Sequence, residues 1–133
     1  MKIFLDEQLH VRMQFELSSF NVFKPKDFGW EGLKNGELRE KLNKNNFDFF
    51  IAADKNIPFQ QNFQKIGFSI ILIDTPTMKW VHQSIFVPKI EKLLQNPPNP
   101  LPKLIHISMR DISQSKKIEG LKKLLPSEQI LFL

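Results

Sequence analysis

The sequence has 133 residues, with 19 Lys and Arg against 14 Asp and Glu, a formal net charge of +5 and no cysteine. This length is enough for one domain with a buried core, and the lack of cysteine excludes disulfides, thiolate metal sites and a cysteine nucleophile. The basic balance favours an anionic partner such as nucleic acid, but a lysine-rich solvated surface explains the same charge.

The first half of the chain predicts three strands and two helices. Runs rich in Phe, Ile and Leu without strict alternation are typical of parallel strands buried on both faces. Leu9, Met13 and Leu17, at spacings of four, indicate the first helix, and Asn35 is the predicted N-cap of the second. In order, the elements are a strand at 2–5, a helix at 8–19, a weaker strand at 20–24, a helix at 35–46 and a strand at 47–53.

The second half continues the alternation, which predicts an α/β domain with a mainly parallel sheet. Its elements are a short helix around Pro58, a strand at 68–73, a helix at 78–95 with a kink near Pro88, a strand at 103–109, a helix at 113–125 and a strand at 129–133. A proline-rich stretch separates a core, residues 1–95, from a C-terminal strand–helix–strand extension, residues 96–133. We expect the extension to continue the same sheet.

No segment predicts export or membrane insertion. A charge follows the first three apolar residues, which is too early for a signal peptide, and no apolar run has the length of a membrane span. We therefore expect a cytoplasmic protein without a membrane partner.

Carboxylates follow three of the predicted strands. Asp6 and Glu7 follow the first, Asp54 follows the strand at 47–53, and Asp74 follows the next. The carboxyl ends of parallel strands share one edge of a sheet, and ligands bind there. If the first and third strands are neighbours, Asp6 and Asp54 lie close together, and a cation between them removes their repulsion. Oxygen ligands suit Mg²⁺ or Mn²⁺.

Each carboxylate also has a structural explanation. Glu37, in the first turn of the second helix, complements the helix dipole, and Asp6 and Asp54 suit turn or N-cap positions. Asp74 precedes Thr-Pro-Thr and is interpreted as a turn residue. The coincidence of Asp6, Glu37 and Asp54 at one predicted sheet edge favours a site.

Three motifs resemble those of short bacterial PIN-like domains found beside small antitoxin-like genes. They are FLDEQL at 4–9, GWEGLKNGEL at 29–38 and FDFFIAADKNIPFQQN at 47–62, with a weaker likeness to about residue 94 and none beyond. The resemblance implies a PIN-type three-layer α/β/α sandwich and a metal-dependent ribonuclease. It also implies the toxin half of a toxin–antitoxin pair, with RNA as substrate, an antitoxin protein as partner and a homodimer as a common assembly.

The resemblance assigns Asp6, Glu37 and Asp54 as catalytic ligands of Mg²⁺ or Mn²⁺, with Glu7 as a fourth ligand. Lys55 is the lysine nearest to this set in sequence, and we expect it to hold the RNA backbone. Further expected RNA contacts are Asn35, Asn56, Gln61, Asn62 and Trp30, with loop pinning as the alternative for the amides and a core role as the alternative for Trp30.

The sequence departs from the family pattern in two respects. PIN nucleases commonly have three or four acids and a Ser or Thr two residues before the strand-end aspartate, where this chain has Ala52. The acid set is also thin unless Glu7 or Asp74 joins it. This favours, as the alternative function, a catalytically silent PIN-like module that binds RNA or a protein. The three histidines show no ligand spacing and are interpreted as structural or surface residues.

Overall fold

The computed structural model describes residues 1–60, 62–109 and 120–133. Within these residues, six strands form one sheet in the order β2-β1-β3-β4-β5-β6, and every neighbouring pair is parallel. The strands are β1 (Ile3–Leu5), β2 (Val22–Phe23), β3 (Phe49–Ala52), β4 (Ser69–Asp74), β5 (Leu104–Ser108) and β6 (Ile130–Phe132).

Helices connect the strands and cover the sheet. They are α1 (Val11–Glu16), α2 (Asn35–Lys44), α3 (Ile57–Gln60), α4 (Trp80–Gln83) and α5 (Val87–Gln95), joined by 3₁₀ turns at Pro25–Asp27, Phe63–Lys65, Ser84–Phe86 and Ser127–Gln129. Of the helix predicted at 113–125, residues 113–119 lie outside the described part and residues 120–122 are helical. None of the described helices is long and apolar enough to cross a membrane.

Strand residues alternate between two hydrophobic clusters, one on each face of the sheet. One cluster joins Ile3 and Leu5 of β1 to residues of α1 and α5, and the other joins Phe4 to Leu42 of α2. Because successive side chains of a strand point to opposite faces, helices cover both faces of the sheet. The predicted α/β fold is confirmed, and its layers are those of a three-layer α/β/α sandwich.

The C-terminal strands complete the same sheet. β5 pairs with β4, in a register that places Leu104 beside Ile70, and β6 pairs with β5. The described part of residues 96–133 therefore packs on the sheet that begins within residues 1–95.

The long helix predicted at 78–95 is divided into two. α4 ends at Gln83, a 3₁₀ turn covers Ser84–Phe86, and α5 begins at Val87. Pro88 has no N–H to donate to a carbonyl one turn earlier, so the regular helical bonding is interrupted before it.

Candidate functional site

Asp6 and Asp54 follow neighbouring strands at the carboxyl edge of the sheet. β1 pairs with β3 in a register that places Leu5 beside Ile51, and the N–H of Asp6 donates to the carbonyl of Ile51 at 2.9 Å. Asp54 comes two residues after the end of β3, at Ala52. The expectation that the first and third strands are neighbours is confirmed, and the two aspartates lie near each other as a result.

The carboxyl group of Asp6 is electrostatically strained. Its pKa is raised from 3.8 to about 6. Burial is the largest cause, because it disfavours the charged form, and the negative charges of Asp54 and Glu7 raise the pKa further. Hydrogen bonds from the backbone N–H groups of Glu7 and Gln8 act in the opposite direction. A cation beside Asp6 would favour the charged carboxylate and so oppose the effects of burial and of the neighbouring negative charges.

A local turn fixes the position of Asp54. Its Oδ1 accepts a hydrogen bond from the N–H of Asn56 at 2.9 Å, and its carbonyl accepts from the N–H of Ile57 at 3.1 Å. The structural explanation predicted for Asp54, a turn position, is thus confirmed. A ligand role is compatible with it, because a carboxylate has about four acceptor positions and the turn uses one.

The acid pair is the part of the predicted metal site that the fold brings together. In the part of the chain that the structure describes, no three His, Cys, Asp or Glu side chains form a group that could hold a metal ion. Two carboxylates are enough protein ligands for Mg²⁺, which is commonly bound by one or two carboxylates with water and phosphate completing its shell.

The other two predicted ligands lie in exposed positions. Oε1 of Glu7 accepts a hydrogen bond from the N–H of Gly32 at 3.0 Å and so anchors the glycine-bounded loop before α2. Glu37 is exposed in the first turn of α2. Both residues stay predicted ligands.

The predicted N-cap role of Asn35 is wrong. Lys34 is the N-cap of α2, without a side-chain cap bond, and Asn35 is the first helical residue. Its Nδ2 donates to Oε1 of Gln60 at 2.9 Å, which ties the start of α2 to the end of α3. The side chain of Asn35 therefore bonds to a residue 25 positions away and does not cap its own helix. The local sequence around Asn35 does not reveal that partner.

Asn56 and Asn62, two further predicted RNA contacts, form hydrogen bonds within the segment that follows β3. Oδ1 of Asn62 accepts from the N–H of Gln64 at 3.1 Å and caps the 3₁₀ turn that follows. Asn56 gives its backbone N–H to Asp54. Gln61 lies outside the described residues. Asn62 therefore pins its loop, and RNA contact by these amides stays a prediction.

Trp30 belongs to an aromatic cluster that includes Phe4 of β1. It stacks on Phe28 with ring centroids 4.4 Å apart and lies 5.8 Å from Phe4 and 6.4 Å from Phe47. The ring is only partly buried, and Nζ of Lys41 lies 5.6 Å from its centroid. The core role is thus present, and base stacking stays a prediction.

Asp74 is the centre of a second polar cluster at the same edge. Nζ of Lys55 lies 2.8 Å from its Oδ1, and Nε2 of His106 lies 3.5 Å from its Oδ2. Lys55, the predicted RNA contact, is thus paired with Asp74. The turn interpretation of Asp74 missed this cluster, although a histidine inside an apolar strand was a usable signal.

His106 is buried inside the fold. Its relative exposure is 2%, and its Nδ1 has no hydrogen-bond partner in the described structure. Burial lowers the pKa of His106, an effect that the nearby carboxylate of Asp74 opposes and Lys55 reinforces. The neutral imidazole is therefore the form that the fold favours.

We expect the substitution His106→Leu to reduce the acid sensitivity of folding. A base whose pKa is lowered in the fold stabilises the protein above its unfolded pKa, about 6.5, and this contribution is lost as the pH falls below that value. Urea unfolding at about pH 7.5 and about pH 5.5 should show a smaller loss of stability in His106→Leu than in the native chain. The partly exposed His82 supplies the control substitution His82→Leu, and equal losses in all three proteins would contradict the expectation.

Lys24 is a buried cation that interacts electrostatically with Asp6. It follows β2, its Nζ donates to the carbonyl of Leu9 at 3.0 Å, and its exposure is 7%. Burial is the main cause of its lowered pKa, whereas the charges of Asp27 and Asp6 act to raise it. Lys24 is the last residue of the weak strand predicted at 20–24, so the sequence indicates its position at a strand end. The sequence does not indicate its burial.

No family model matches the sequence, and comparisons with curated proteins and with solved structures also gave no match.

Proposed function

We propose that this protein is a metal-dependent ribonuclease of the PIN-like type whose reaction centre includes Asp6 and Asp54. The observation that carries the proposal is the placement of these two carboxylates after adjacent parallel strands, tied by the hydrogen bond from Asp6 to Ile51. Its support from sequence is the resemblance of the three motifs, which also makes the toxin half of a toxin–antitoxin pair the proposed cellular role.

The chain's own residues supply the binding and positioning for this chemistry. Asp6 and Asp54 would hold Mg²⁺ or Mn²⁺, with Glu37 and Glu7 as the further predicted ligands. When bound, such an ion polarises the phosphoryl group and lowers the pKa of a coordinated water. The turn at Asn56 orients the carboxylate of Asp54, and Lys24, which follows β2, interacts electrostatically with Asp6.

Cleavage of RNA in the presence of Mn²⁺ tests the proposal. The native chain should cut a mixed single-stranded RNA, and Asp54→Asn should lower the rate by at least about 100-fold, since loss of a residue that merely supports a ligand already costs 10- to 100-fold. Glu40→Gln, an exposed change on α2, is the matched control and should keep the native rate. Calorimetric titration with Mn²⁺ should show binding to the native chain and weakened binding to Asp54→Asn.

The second candidate is a catalytically silent PIN-like module that binds RNA or protein. The observation that favours it is that the described residues form no three-acid group able to hold a metal ion. Equal absence of cleavage in the native chain and in Asp54→Asn, together with no Mn²⁺ binding by either, would reject the nuclease and leave this function ahead.

A further inference from the structure

Strand β6 forms an open edge of the sheet among the described residues. Leu133, just after β6, donates its N–H to the carbonyl of His106 at 2.8 Å and accepts from the N–H of Ser108 at 2.9 Å. Successive residues of a strand direct their N–H and C=O groups to opposite sides. The backbone groups of Ile130 and Phe132 therefore point away from β5, where they can pair with another extended chain.

An apolar groove runs beside this edge, on the face covered by α5. Its volume is about 470 Å³, and its apolar lining comes from Leu93 of α5, Pro98, and the alternate residues Leu131 and Leu133. A strand added to β6 would pair with the outward backbone groups and direct every second side chain toward this groove. Three residues of strand span only about 10 Å, so two side chains would occupy it.

The rim of the groove is basic. Lys89 and Lys92 of α5 line it, and none of the described residues that line it is acidic. Lys92 is exposed. Nζ of Lys89 donates to the carbonyl of Ser108 at 2.8 Å, and this carbonyl is neutral, so it does not cancel the positive charge of Lys89. A second copy of this chain would bring the same lysines to the shared groove, which charge repulsion opposes, whereas an acidic segment complements them.

We propose that the β6 edge binds an extended acidic segment of a partner protein by strand addition, with apolar side chains in the groove and Asp or Glu beside Lys89 and Lys92. Four strand spacings, about 19 Å, separate β6 from β1. A partner bound there leaves the edge around Asp6 uncovered, so this surface is independent of the proposed nuclease reaction.

An NMR titration of the full chain with a synthetic peptide tests the proposal. The probe is the blocked heptapeptide Asp-Thr-Val-Thr-Leu-Thr-Glu, whose acidic and apolar side chains share one face of an extended strand. A copy carrying Lys at the two acidic positions is the charge control, and a copy N-methylated at alternate amides is the pairing control. The acidic peptide should shift the backbone amide signals of Ile130 and Phe132 more than those of Leu131 and Leu133, and both control peptides should lose this effect.

Two protein variants separate the groove from general charge attraction. Lys92→Glu should weaken binding of the acidic peptide by about 5-fold or more, as expected for replacing an attraction by a repulsion at a partly exposed site. Lys44→Glu makes the same charge change on α2, which covers the opposite face, and should have a smaller effect.

Three results would overturn the proposal. They are unchanged signals of Ile130 and Phe132 at millimolar acidic peptide, equal binding of the basic peptide, and equal weakening by the two charge reversals. A concentration-dependent dimer in sedimentation that protects the β6 amides from exchange would also reject it, because the edge would then bind a second copy.

Discussion

Asp6→Asn is expected to raise the free energy of unfolding at neutral pH by up to about 3 kcal/mol, because the raised pKa of Asp6 corresponds to about two pH units at 1.36 kcal/mol each. An acid whose pKa is raised in the fold contributes most to stability below its unfolded pKa, and this contribution is lost as the pH rises through the folded value of about 6. Asn carries no charge and does not undergo that loss.

Urea unfolding at several pH values measures this effect. The native chain and Asp6→Asn should have similar stability at about pH 3.5, and the variant should be the more stable at about pH 7.5. Glu40→Gln removes an exposed carboxylate and should leave stability within about 0.5 kcal/mol of the native value. A variant less stable than the native chain at neutral pH would show that burial of Asp6 is offset by interactions of its charged form.

Comparison of the native chain with Asp6→Asn also tests whether a cation binds at this carboxylate. A cation that binds only the folded protein raises its stability by mass action. Mn²⁺ should therefore raise the melting temperature of the native chain and have little effect on Asp6→Asn. Equal shifts in the two proteins would place Mn²⁺ binding away from this carboxylate.

Phe4→Ala is expected to cost about 3–5 kcal/mol of folding stability, because it removes a fully buried aromatic ring from the core. Phe4 lies two residues before Asp6, and its ring centroid is 5.5 Å from that of Phe47 and 5.8 Å from that of Trp30. The empty space cannot collapse easily, since β1 is held between β2 and β3. Unfolding should thus begin at much lower urea concentration.

Phe15→Ala is the matched control for this substitution. The chemical change is the same, but Phe15 is 74% exposed on α1. Its loss should change the free energy of unfolding by less than about 0.5 kcal/mol. If both variants lost similar stability, Phe15 would have to be buried in an assembly, which sedimentation of the native chain would reveal.

The predictions for Phe4 and Asp6 concern two nearby positions, one inside β1 and one directly after it. Burial of Phe4 in the core stabilises the sheet, whereas burial of Asp6 disfavours its charged carboxylate.

Local pattern was sufficient for the fold class. The continuous apolar runs at 2–5, 47–53, 68–73 and 103–109 predicted strands covered on both faces, and each run overlaps a buried strand of the structure. Helical spacing alone was a weaker guide. Leu9, Met13 and Leu17 are buried, whereas Val11 and Phe15 beside them are exposed, because the sheet covers only one side of a surface helix.

The sequence by itself determined the alternating α/β order, the parallel sheet and the presence of Asp6, Asp54 and Asp74 at strand ends, since these follow from hydrophobic periodicity and the handedness of crossovers. The tertiary structure alone decided which strand ends became partners. It placed β1 beside β3 and brought Lys55 and His106 within ion-pair distance of Asp74. It also paired Asn35 with Gln60 through a hydrogen bond. Such contacts depend on strand order and register between distant segments, and a shift of one residue would direct each side chain to the other face.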